Sequence, residues 1–168
     1  MPCTYKKIPS PVGELMLVAR GNRLAAILWE SERANRVRLG ELSEDQGSPI
    51  LARTEQQLGE YFAGARNHFD LELDFAGTDF QKKVWQALLT IPFGETRSYS
   101  DIALQIGNAS AVRAVGAANG RNPISIVAPC HRVIGASGKL TGFAGGLAAK
   151  ALLLRLEGAL GPVQGSLL

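Results

Sequence analysis

The chain has 168 residues, 46% of them hydrophobic and 20% charged, and a net charge of +3. That composition excludes a disordered or fibrous polypeptide and points to an ordinary globular protein with one or two small cores. Two distant cysteines make no disulfide framework, Lys6-Lys7 leads into prolines rather than a signal sequence, and Leu15 to Ala19 is far too short to span a bilayer. A reducing, cytoplasmic setting with no membrane contact is expected.

The N-terminal stretch reads as a small antiparallel sheet with a helix. Tyr5 to Ile8 leads into a Pro/Gly turn, Glu14 to Arg20 reads as a strand, and Gly21-Asn22 turns it into a hairpin partner, Arg23 to Trp29. Residues 31–48 are polar and patternless, which predicts loop or weak helix. Ser48-Pro49 opens a helix with apolar positions at Leu51, Leu58, Tyr61 and Phe62, stopped at Gly64. Phe69 to Phe75 alternates strictly and predicts a half-buried strand. Cys3 and His68 lack partners at ligand spacing, so no metal is expected. This part, residues 1–77, reads as a structural domain.

Ala76-Gly77 marks the boundary of a second domain, 78–160, with 161–168 expected as a flexible tail. Thr78 and Gln81 form a capping box for a helix burying Phe80, Val84, Trp85, Leu88 and Leu89. A helix-turn-helix pattern follows. Ser98 caps a helix carrying Tyr99, Ile102, Ala103 and Ile106, Gly107 ends it, and a second helix runs from about Ser110 to Asn119. That second helix is slim, with Ala109, Ala111, Ala114, Gly116, Ala117, Ala118 and Gly120 around one long side chain, Arg113. A major-groove reader would present several polar side chains; a bare helix suits the narrower minor groove. The alternative is that the alanines pack against a neighbouring helix.

Asn122-Pro-Ile-Ser-Ile-Val-Ala-Pro-Cys-His-Arg-Val133 places one of two cysteines beside one of two histidines. A lone cysteine is more often a small buried hydrophobe. Here His131 and Arg132 offer the positive charge that favours a nucleophilic thiolate. Residues 124–128 predict a buried strand; if Cys130 and His131 continue it, their side chains diverge, and activation runs through a water or a third group. The last helix, Leu147 to Glu157, is read with Leu152, Leu153 and Leu156 inward. Glu157 at its C-terminus opposes the helix dipole and needs a partner. Charge is unevenly spread: residues 1–77 carry nine Lys/Arg against eleven Asp/Glu, and residues 78–168 nine against four. The basic half is the one expected to meet a polyanion.

Pro129-Cys-His-Arg-Val133, with Gly120-Arg-Asn-Pro123 before it and Gly142-Phe-Ala-Gly-Gly146 after it, resembles the O6-alkylguanine-DNA alkyltransferases. The resemblance is strong from about Thr78 to Gly158. It implies an α+β fold, with a ribonuclease-H-like N-terminal domain and a winged helix-turn-helix-like C-terminal one. It implies direct-reversal DNA repair, in which the alkyl group of O6-alkylguanine, and of O4-alkylthymine, moves irreversibly to Cys130 after base flipping. The matching relay is Glu157, His131, a water and Cys130; Asn122 braces the active-site turn. Tyr99 crowds the target phosphate and donates to the purine, while Arg113 enters the base stack. Ala114, Ala118 and Gly120 complete the expected contact with double-stranded DNA through the minor groove. The guanine pocket is Val133, Phe143, Ala144 and Gly145. Phe143 stands where a tyrosine is common, Ala144 lacks a hydroxyl that some members have, and Ala128 replaces a bulkier aliphatic. No cofactor is implied, and a monomer is expected. A redox-sensing helix-turn-helix regulator fits less well, because the helix is smooth and no dimerisation segment is evident. A cysteine hydrolase lacks a distant histidine other than His68.

Overall fold

A computed structural model describes residues 2–138 and 140–160, so the expected tail at 161–168 lies outside the described residues. The chain divides into two compact units, the first running to Ala76 and taking in Pro123–Ser125, the second holding the remainder.

In the first unit, β1 (Cys3–Ile8), β2 (Leu15–Arg20) and β3 (Arg23–Trp29) form an antiparallel meander. The two-residue turn at Gly21-Asn22 sets the β2–β3 register, and a bulge at Val18/Ala19 interrupts its alternation. The register skips Ala25, the extra residue on β3, and Val18, Ala19, Ala25 and Ala26 are all buried. α1 (Pro49–Phe62) packs on the sheet, capped by Ser48, whose hydroxyl accepts from the Leu51 N–H. Leu15, Leu17, Leu24, Ile27, Leu51, Leu58 and Tyr61 are fully buried, each worth about 1.5–3 kcal/mol. Cys3, Val18, Ala25 and Ala26 form a separate cluster that packs with Val37 and Leu39. Cys3 is a packing residue there, its thiol donating weakly to the Leu39 carbonyl.

Two strand expectations need correction. The patternless 31–48 stretch contributes β4 (Leu42–Glu44), parallel to β1 at the sheet edge, although all three of its side chains are exposed. With nothing to bury, it leaves no alternation to read. Phe69 to Phe75 alternates but forms only an isolated bridge, Leu24 with Leu73, fixed by the Glu72 carbonyl and the Asp74 N–H. The far side of β3 also receives the 123–125 segment: Ile27 bridges Ile124, and the Trp29 indole N–H donates to Ser125 Oγ at 3.0 Å.

The second unit begins at Gly77, where any Cβ would stand 2.6 Å from the Trp85 ring. α2 (Asp79–Leu88) carries both halves of the Thr78/Gln81 capping box. Its Val84, Trp85 and Leu88 are buried, whereas Phe80 is only half-buried and Leu89 is 40% exposed. β5 (Arg97–Ser98) leads into α3 (Tyr99–Gln105), where Ser98 and Asp101 form a second capping box. α4 (Val112–Gly120) follows, and the Trp85 indole N–H donates to the Ala118 carbonyl at 2.8 Å, tying α2 to α4. A 3-10 turn, Cys130–Arg132, runs into β6 (Val133–Ile134), which pairs parallel with β5. α5 (Leu147–Leu156) closes the described chain, and Gly158 at φ 76° ends it.

The 124–128 segment is not a strand. Ile126 sits at φ 74°, in the left-handed region, which costs a β-branched residue about 1–3 kcal/mol and is held only where its surroundings impose it. The turn falls where the chain leaves the first unit and re-enters the second.

Candidate active site

Cys130, His131 and Arg132 share one 3-10 turn, so their side chains point in three directions. The turn is held by its own backbone, Cys130 N–H donating to the Ala128 carbonyl and Arg132 N–H to that of Pro129. Two asparagines from the end of α4 brace it. Asn122, fully buried, donates to the Ala128 carbonyl at 2.8 Å, and Asn119 reaches the Cys130 carbonyl at 3.5 Å. Cys130 itself is only 3% exposed, and it forms no disulfide.

His131 lies at the centre of a buried ionic cluster. Its Nε2 is 2.8 Å from Glu157 Oε2, and Arg132 grips the same carboxylate twice, Nε to Oε1 at 2.7 Å and Nη2 to Oε2 at 3.0 Å. A third guanidinium N–H donates to the Ile91 carbonyl at 2.6 Å. Burial alone would raise the Glu157 pKa, but the hydrogen bonds from His131 and Arg132 overcome it and bring it to about 2. Glu157 is therefore ionised and can only accept. Burial drives the His131 pKa below its ordinary value despite the Glu157 hydrogen bond. A neutral imidazole that must donate through Nε2 keeps its lone pair on Nδ1. Nδ1 is buried, and no described residue meets it. The thiol and the imidazole are not hydrogen-bonded to each other, as the divergence argument expects, although the geometry behind it is a 3-10 turn rather than an extended chain.

One residue plays a different part from the one its sequence suggests, and another goes unmarked in the sequence. Arg132 is not a free charge beside the thiol: Glu157 consumes it. Lys150 on α5 is fully buried, with Nζ 2.6 Å from the Val133 carbonyl and 5.9 Å from the centre of the Phe143 ring. Burial brings its pKa down to about 8, against an opposing pull from Cys130. The signal was present, since Lys150, Leu153, Leu154 and Glu157 fall on one helical stripe and all four are buried. Leu152 and Leu156, expected inward, are only half-buried.

The remaining candidates fall on several elements. Arg113, Ala114 and Gly120 are exposed on α4, whereas Ala118 is buried with the Trp85 side of the helix. Ala118 therefore belongs to the packing face, not to a surface that a groove can reach. Tyr99 is half-buried, and its hydroxyl bonds that of Thr141. The Val133 carbonyl already accepts from Lys150. Phe143, Ala144 and Gly145 are half-buried in the loop before α5.

Two family models match the chain. One, the ribonuclease-like domain of 6-O-methylguanine DNA methyltransferase, matches residues 3–75; the other, the DNA-binding domain of the same protein, matches residues 79–159. The chain belongs to the 6-O-methylguanine-DNA methyltransferase family. The methylated-DNA–protein-cysteine methyltransferase of Mycobacterium tuberculosis H37Rv is 50% identical over 165 residues, 95% of each chain. The constitutive methylated-DNA–protein-cysteine methyltransferase of Bacillus subtilis is 46% identical over 155 residues, 91% of this chain and 94% of that one. Among solved structures, the M. tuberculosis protein in complex with DNA superposes with a TM-score of 0.86 at 51% identity over 93% of each chain. The family is one of transferases, and both halves of this methyltransferase fold match it. Among the described residues no three His, Cys, Asp or Glu side chains gather to hold a metal, and no helix is long and apolar enough to cross a membrane.

Proposed function

We propose that this chain repairs alkylated DNA by taking the alkyl group of O6-alkylguanine, and of O4-alkylthymine, onto Cys130, once per molecule. The observation that carries the reading is the buried His131, whose Nε2 lies 2.8 Å from the Glu157 carboxylate and whose Nδ1 meets no partner among the described residues, on the same turn as the thiol. His131 takes the thiol proton through a bridging water. The sulfur attacks the alkyl carbon, the carbon–oxygen bond breaks, and the electron pair leaves with the guanine oxygen, where donors lower the barrier. A thioether has no evident route to hydrolysis, so turnover stops there.

The second unit does this work, with the first as its structural companion; the whole ionisable cluster lies in the second. The exposed face of α4, with Arg113 among Ala114, Ala117 and Gly120, suits close approach to the minor groove of double-stranded DNA. Arg113 fills the gap left by the flipped base, and Tyr99 sits by the target phosphate. Val133, Phe143, Ala144 and Gly145 wall the base, and Asn122 holds the turn. The protein works as a cytoplasmic monomer; its two cysteines, neither of them in a disulfide, fit a reducing compartment.

The test is to follow a methyl label placed on O6-methylguanine in duplex DNA. Label should move to the protein in one equivalent, and a second portion of DNA should draw no further reaction. Repeated turnover with label released to solvent would overturn the proposal.

A further inference from the structure

A resting thiolate at Cys130, formed before His131 has taken up a proton, needs a counter-charge, and the obvious neighbours do not supply one. Arg132 is neutralised by a two-point grip on Glu157. His131 is held neutral by burial. On the other packed elements, α2 keeps Asp79, Lys82 and Lys83 exposed, α4 keeps Arg113 exposed and brings the uncharged Asn119 to the turn, Arg97 of β5 is engaged by Glu95, and the Tyr99 hydroxyl of α3 is bonded to Thr141. Lys150 remains. It is fully buried, its one hydrogen bond goes to an uncharged carbonyl, and no carboxylate among the described residues meets it. An unpaired ammonium in a buried site is expensive unless an anion appears nearby.

We propose that Lys150 supplies the positive charge that stabilises the Cys130 sulfur in its anionic form. It thereby sets the fraction of protein ready to react. The inference rests on the alkyl-transfer reading only in naming why that anion matters. Lys150 reaches the turn that carries the sulfur: Nζ bonds the Val133 carbonyl, the Val133 N–H closes the turn on the Cys130 carbonyl, and α5 packs against it. The opposing pull of Cys130 on the burial-lowered Lys150 pKa agrees with that placement. The same charge thus acts on both groups, favouring the anionic sulfur and holding the resting imidazole neutral, which also makes it a weaker base. Lys150 also fixes the Val133 carbonyl, so a structural role has to be separated from the electrostatic one.

The experiment measures the rate of Cys130 alkylation by iodoacetamide, a small uncharged probe, across pH for wild type, Lys150→Met and Lys150→Arg. The modified Cys130 peptide is quantified by mass. Lys150→Met should move the midpoint up by about one unit or more, a loss of about tenfold in reactive protein at pH values well below both midpoints, with the alkaline plateau kept within a few-fold. Lys150→Arg should restore the midpoint. An unmoved midpoint with a lowered plateau would reduce Lys150 to a packing residue and overturn the proposal. If Lys150→Met does not fold, reciprocity gives the same test in wild type. Alkylating Cys130 should lower the titration midpoint of the Lys150 ammonium followed by heteronuclear NMR, and no change would overturn the proposal. A wild type that shows these shifts but takes no methyl from DNA would sink the repair reading and leave this one standing.

Discussion

Replacing Glu157 by glutamine is expected to cost about 3–5 kcal/mol of stability and to slow alkyl transfer by about 10²–10⁴-fold. Glutamine keeps the shape and one acceptor, but it leaves the buried Arg132 guanidinium without its counter-ion. It also removes the carboxylate that holds His131 in the tautomer with a free Nδ1. The pH dependence separates this from simple misfolding. The folded-state pKa of Glu157 is about 2 against an ordinary 4.5, and that gap corresponds to about 3 kcal/mol. A depressed carboxylate contributes its stability above the unfolded value and loses it as pH falls through the folded one. Wild type should therefore lose this increment progressively between about pH 4.5 and about pH 2, and Glu157→Gln should lack that acid limb. Urea titrations across that range, with single-turnover transfer rates at neutral pH, check both halves. An unchanged stability profile would mean that Glu157 is paired more weakly than its geometry indicates.

Arg113→Ala carries the second large effect, and it is selective. Arg113 is exposed on α4, so folding stability should change by no more than about 0.5 kcal/mol. If Arg113 fills the place of an everted base, its loss returns a few kcal/mol of unstacking cost to the reaction with duplex DNA. Repair of O6-methylguanine in a duplex should then slow by about 10²-fold. Reaction with free O6-benzylguanine, which needs no flipping, should stay within a few-fold of wild type. Equal losses on both substrates would remove the base-flipping role.

Much of this molecule is readable in its sequence because local chemistry and final packing agree. The β2–β3 hairpin, the Ser48 cap and the two capping boxes at Thr78 and Ser98 form as their residues predict. The failures have physical causes. β4 is a short edge strand with exposed side chains, so backbone pairing rather than burial makes it. The 69–75 alternation is real, but only one bridge finds a partner. At 124–128 a β-branched run is overridden by the left-handed Ile126, a tertiary constraint that no propensity signals. Around the candidate site, Cys130 and His131 stand out by residue type, Glu157 reads as a helix-end residue until the resemblance singles it out, and the pairing of His131 with Glu157 is as the resemblance implies. The electrostatics were harder to read. Arg132 looks like a free activator until its carboxylate partner is located. Lys150 looks like a surface lysine until α5 is rotated by one position, which puts both of that helix's buried ionisable groups on the inward face.

The most direct measurement is the intact mass of the protein after incubation with one equivalent of a duplex containing O6-methylguanine, followed by peptide mapping. The account predicts a single methyl group on the Cys130 peptide, guanine restored in the DNA, and no adduct in Cys130→Ser. Repaired DNA beside an unmodified protein, or a methyl group carried on Cys3 or another residue, would contradict it.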